Sequence, residues 1–260
     1  STFGIASIPV ITTFILGLIV IAIFTFRQLK IDHPLLNLSV FKSKVFTLSA
    51  IASMLVFIGI VGPALLIPMY VQTGLGLSAL LSGLVILPGA VFNAFISVYT
   101  GKIFDKYGIK VLVIPGFTVL IIMTILHAFL TTETPFWYVV VIYAIRMISV
   151  GLLIMPLNTV GLNALKPEEI SHGTAIMNSL RIIAGAMGTA ISITILSIVA
   201  KNYTATHHTM SKVKLAREST VQGVDAAFIF TTVLIVIGFI LALFIKENRN
   251  AKDTDSSSEK

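Results

Sequence analysis

Seven apolar runs, each about long enough to cross a bilayer as a helix, alternate with polar connectors along the 260 residues. They cover residues 2–26, 46–71, 78–100, 111–130, 136–157, 174–199 and 226–245. A helix rises about 1.5 Å per residue, so about 20 apolar residues match a hydrocarbon layer about 30 Å thick. Inside such a layer backbone polar groups must bond within their own segment, which selects helices over open strands. The expected fold class is all-α integral membrane, with seven transmembrane helices.

The connectors set the expected topology, because Lys and Arg stay on the cytoplasmic side. Residues 27–45 carry Arg27, Lys30, Lys42 and Lys44 against Asp32 alone, and their HPLLNLSVFK stretch is expected to lie along the membrane surface. The ten residues GKIFDKYGIK at 101–110 form the next basic connector. Gly101 and Gly108 allow a tight turn there, and Lys102, Lys106 and Lys110 hold it inside. Asp105 is placed to cap the next helix or pair with a lysine. The stretches 72–77 and 131–135 hold no Lys or Arg and are assigned outside. Residues 201–225 read as a long polar outer loop despite Lys201, Lys212, Lys214 and Arg217. The charged, Ser-rich stretch 246–260 reads as a disordered cytoplasmic tail.

Composition agrees with the pattern. Hydrophobic residues make up 56% and charged residues 11%, with a mean hydropathy of +1.00. So little charge does not cover a soluble domain of this length. The net charge of +7 sits in connectors between apolar runs, a topological pattern and not a nucleic-acid-binding face. Without cysteine there is no disulfide framework or thiolate metal site. The five histidines do not converge, so no metal or cofactor is expected. No phosphate loop or Ser/His/Asp set suggests an enzyme.

Two charges inside the apolar runs carry the chemistry. Arg146 is near the middle of the fifth run, and Arg181 about two turns into the sixth. An arginine at a helix centre costs about 2.5–3.5 kcal/mol on insertion scales. None of the seven runs contains Asp or Glu, so the partner is a backbone carbonyl, water, a ligand or another part of the protein. Asn178, Arg181, Gly185, Gly188 and Ser192 share one helix face, as do Gly89, Asn93, Ser97 and Gly101. Arg181 either snorkels to the headgroups or stands in a cavity; Arg146 is too central to snorkel. Gly59, Gly62, Pro63 and Pro68 mark the second run as kinked.

GKIFDKYGIK resembles the cytoplasmic signature loop of the major facilitator superfamily, G-x-x-x-D-[RK]-x-G-x-[RK], through Gly101, Asp105, Lys106, Gly108 and Lys110. HPLLNLSVF at 33–41, LSGLVILPGAVFNAFISVYTGKIFDKYG at 81–108 and HGTAIMNSLRIIAGAMGTAI at 172–191 are similar to its fourteen-helix drug:proton antiporter branch. That resemblance implies two six-helix bundles with two extra helices between them. Residues 1–26 would be a linker helix, 27–45 the amphipathic connector, and 46–245 the complete C-terminal bundle. A missing N-terminal bundle of the same protein would carry most of the proton-coupling carboxylates. The loop 101–110 would act in the conformational switch. The cavity between bundles would draw Tyr70, Gln72, Asn93, Arg146, Asn158, Asn178 and Arg181 from this chain. The implied activity is proton-coupled efflux of amphipathic small molecules across the cell membrane, with no cofactor and no nucleic acid. Two alternatives stay open: Arg146 and Arg181 without acids in the runs would suit export of an anionic metabolite, lipid-like acid or siderophore, and a non-transporting membrane sensor or assembly protein is a reading of another class.

Overall fold

Helices end where capping or a special backbone angle stops them, and these points differ from the edges of the apolar runs. A computed structural model describes residues 8–28, 36–207 and 210–246. Among these residues lie seven α-helices: α1 Ile8–Gln28, α2 Lys44–Met69, α3 Ala79–Tyr107, α4 Lys110–His127, α5 Phe136–Asn163, α6 Ile170–Thr206 and α7 Lys212–Leu243. A π-turn, Tyr70–Gly74, extends α2. Helices α2 to α7 are long and apolar enough to cross a membrane, and α1 contributes a shorter apolar stretch. Among the described residues there is no strand.

Two connectors are shorter than the sequence pattern suggests. Helix α3 continues to Tyr107, so Gly101, Asp105 and Lys106 lie on its last turns and not in an open loop. The turn itself is made at Gly108, with φ 80° and ψ −176°, whose N–H donates to Phe104 O at 2.8 Å. This backbone region is essentially glycine-only. The supposed outer loop 201–225 is largely helical too, the end of α6 and the start of α7. Ser211 caps α7 by accepting from Lys214 N–H, and Lys214 and Glu218 pair at 3.7 Å one turn apart. Hydropathy marks where lipid contact ends; the backbone ladder continues into water wherever such local support exists.

Helices α2 and α5 are the most buried, α3 and α6 the least. Helix α5 packs on α2, α3 and α4, while α2 packs on α5, α6 and α7. Exchanging the triplet α2–α4 with α5–α7 leaves these neighbours unchanged. The two triplets start at opposite ends of the bundle, the arrangement of an inverted repeat. Val56, Leu66 and Ile67 of α2, Phe117 and Leu120 of α4, Leu153 and Leu157 of α5, and Phe228 and Ile235 of α7 share one apolar core.

The connector before α2 is docked onto the bundle. Leu36, Leu38 and Val40 pack with Phe46, Ala50, Ile176 and Met177, and among the connector's described apolar residues Phe41 keeps an exposed face. Ser39 Oγ donates to Glu169 Oε1 at 2.9 Å, joining the connector to the start of α6. Residues 1–7 of the first run, 29–35 of the connector and 247–260 of the tail lie outside the described residues.

Candidate functional site: the polar groups inside the bundle

Proline inside a helix removes one donor and leaves the carbonyl four residues earlier unpaired. Pro63 of α2 does this to Gly59. The missing donor comes from α5, where Arg146 Nη2 donates to Gly59 O and Nε to Thr124 Oγ1 of α4 at 3.3 Å. Arg146 is 0% exposed, and its Nη1 has no partner. Of the compensations open to a central arginine, a backbone carbonyl is the one realised. His127 of α4 stands nearby, its ring stacked on Phe228 of α7 and edge-on to Tyr143, with centroids 4.9 and 6.4 Å apart. His127 Nδ1 donates to Met123 O at 2.7 Å, while its buried Nε2 has no partner.

The two small-residue stripes are helix seams. On α3, a Cβ at Gly89 would meet Met147 and Tyr143 of α5 at 2.9 and 3.0 Å, and Asn93 Nδ2 donates to Met147 O at 2.8 Å. On α6, Gly185 faces Phe57 and Gly188 faces Ile58, both of α2. Gly62 of α2 in turn faces the buried hydroxyl of Ser192. Arg181 lies at the edge of this second seam, half-buried, its guanidinium 5.8 Å from the Phe57 ring centre. Its Nη2 donates to Asn178 Oδ1, and its Nε is buried without a partner.

Of the seven residues assigned to the cavity from the sequence, only Asn178 and Arg181 bond to each other. Gln72 lies exposed and donates to Ser82 Oγ at 2.9 Å. Asn158 is half-buried with Oδ1 unpartnered. Tyr70 is 0% exposed, and its hydroxyl donates to Thr131 O at 2.7 Å.

Tyr70 belongs to a further polar cluster, at the end of the bundle away from Gly108. There Arg217 of α7 donates from Nε to Gly74 O at 2.8 Å and from Nη2 to Thr132 O at 3.0 Å. Asp225, two turns beyond Arg217 on α7, lies near the Leu130 backbone and within electrostatic reach of Tyr70. Sequence reasoning passed over Arg217 and Asp225 because both fell in the stretch read as a solvated loop. Their spacing with Val221, at i, i+4 and i+8, was the available signal.

A bundle of two related three-helix units with charged groups held between its helices has the form of a polytopic membrane transporter. The family model for the Major Facilitator Superfamily matches residues 1–189, and the chain belongs to that family. The chain is 38% identical over 244 residues to the lincomycin resistance protein LmrB of Listeria monocytogenes, covering 94% of this chain and 52% of that protein. It is 28% identical over 184 residues to the multidrug export protein EmrB of Haemophilus influenzae, covering 70% and 35%. It is 27% identical over 204 residues to the fatty acid resistance protein FarB of Neisseria gonorrhoeae, covering 78% and 39%. The chain thus spans about half the length of the lincomycin resistance protein it matches.

Proposed function

We propose that this chain is the C-terminal half of a proton-coupled multidrug efflux transporter that works by alternating access. The observation that carries the proposal is the continuous match to a lincomycin resistance protein along 94% of the chain. The partner is an N-terminal bundle of the same protein, and the open apolar faces of α3 and α6 suit such a companion: Phe95 is 64% and Ile182 70% exposed. The Gly108 hairpin and the C-terminus lie in the cytoplasm, following the lysines of 101–110.

In this reading Gln72, Asn93, Asn158, Asn178 and Arg181 contribute polar groups to the wall of the central cavity. Arg146 and Tyr70, which have no exposed surface, act behind that wall by fixing the shape of α2. The residues Gly101, Asp105, Lys106, Gly108 and Lys110 serve the switch between inward- and outward-open states. Export of a lipid-like acid is the second reading. It is favoured by the similarity to the fatty acid resistance protein and by a half-buried arginine without an acidic partner among the described residues.

The test is efflux by the intact protein in a strain stripped of its own exporters. Lincomycin and a long-chain fatty acid are the two probes, each measured with and without a protonophore. Protonophore-sensitive lincomycin efflux is the expected result. Fatty-acid efflux alone would select the second reading, and efflux insensitive to the protonophore would remove proton coupling.

A further inference from the structure

The seven apolar runs contain no carboxylate, yet the folded bundle does. Helix α7 starts at Lys212, so Asp225 lies thirteen residues inside it, about 20 Å along the axis from its first turn. The 18 residues that follow Asp225 to the end of the helix span about 27 Å, close to the thickness of the hydrocarbon layer. Asp225 therefore sits where the outer interface meets the apolar core. It is half-buried. Its carboxyl lies near the Leu130 backbone, and Oδ1 is buried with no hydrogen-bond partner.

The groups around it leave the carboxyl uncompensated. From α2 comes the Tyr70 hydroxyl, already donated to Thr131 O. From α7 comes Arg217, whose Nε and Nη2 are spent on the carbonyls of Gly74, Leu75 and Thr132. From α4 comes His127, which stacks on Phe228 one turn below Asp225 and bonds to Met123. Glu218 is engaged by Tyr203 and Lys214, and Glu133 on the α4–α5 connector is exposed. Asp225 has no ion-pair partner among the described residues. A buried carboxylate oxygen with neither donor nor counter-ion is costly, and an added proton removes that cost.

We propose that Asp225 is a proton-binding site of this bundle, loaded from the outer aqueous side. The carboxylate takes a proton from outside water at Oδ1 in the outward-facing state and releases it to the cytoplasmic side in the inward-facing state. This assignment rests on the proton-coupled reading above and gives the coupling a residue in the C-terminal bundle.

The intact protein in liposomes, with labelled lincomycin as probe, separates the two. Wild type is expected to accumulate lincomycin when a pH gradient is imposed, and also to exchange it by counterflow without a gradient. Asp225→Asn should lower gradient-driven accumulation at least tenfold while counterflow persists. Asp225→Glu, which keeps the acid but moves it, should retain driven transport with a displaced pH midpoint. If Asp225→Asn keeps gradient-driven transport, or loses both activities together, the assignment is overturned. An unchanged pH profile in Asp225→Glu overturns it equally, including where the Asn variant does not assemble. A wild type indifferent to the gradient sinks the coupling itself.

Discussion

Arg146 of α5 donates to the carbonyl of Gly59 on α2, the carbonyl that Pro63 deprives of its helical donor. A missing donor in one helix and a charge in another therefore satisfy each other. Each alone is a defect in an apolar interior.

Their mutual dependence is measurable. Arg146→Met keeps most of the volume and leaves Gly59 O unpaired, which should destabilise the protein by about 1–3 kcal/mol. Pro63→Ala returns an N–H to α2, so Gly59 O gains a helical donor. In that background Arg146→Met should cost less, with a coupling of about 1 kcal/mol. Thermal unfolding of the four variants in detergent gives the cycle. Strict additivity would mean that the bond contributes nothing specific to the kink.

At Gly108 the backbone demands glycine, with φ 80° and ψ −176°. Unlike an ordinary left-handed position, this region does not welcome asparagine. Both Gly108→Ala and Gly108→Asn should cost about 1–3 kcal/mol, seen as a lower melting temperature. Asparagine that is clearly better tolerated than alanine would contradict the backbone geometry.

Gly188 and Gly83 offer a paired comparison. A Cβ at Gly188 would stand 2.7 Å from Ile58 Cγ2 and 3.1 Å from Ile58 Cα, against the body of α2. Gly188→Ala should therefore overpack the α2–α6 seam and cost about 1–3 kcal/mol. Nothing lies within 4 Å of a Cβ at Gly83, so Gly83→Ala should be neutral or slightly stabilising. Equal melting temperatures for the two variants would refute the seam.

Arg181 is expected to need its planar fork. The guanidinium holds Asn178 and lies against Phe57, and lysine can reproduce the charge but not that shape. Transport by the intact protein should fall about tenfold or more with Arg181→Lys, matching about 1.5–3 kcal/mol for one charged hydrogen bond. Near-normal transport by the lysine variant, at equal surface expression, would leave only snorkelling.

Orientation can be read by labelling, since this chain contributes no cysteine of its own. Single cysteines at Glu133 and Lys212, in an intact protein free of other cysteines, should react with an impermeant thiol reagent on whole cells. One at Lys106 should react only after the cells are opened. The reverse pattern would invert the proposed topology.

The apolar runs alone determined that this is a helical, multi-pass membrane protein, because lipid leaves the backbone few other ways to pair its groups. They also located the proline-interrupted second span and the two arginines that need compensation. The turn at Gly108 was legible, since that backbone angle must be written into the sequence, but the loop was read too long, because α3 runs on to Tyr107. The partners of the charges were not legible. Arg146 finds Gly59 across 87 residues of chain, and Arg217 finds Gly74 across 143. Only packing brings such groups within bonding distance, since neither spacing nor composition encodes it. For the same reason Asp225 looked like part of a solvated loop. Its place inside α7 follows from a cap at Ser211 that lets the helix start well before the apolar run, and Tyr70, within its electrostatic reach, comes from another segment.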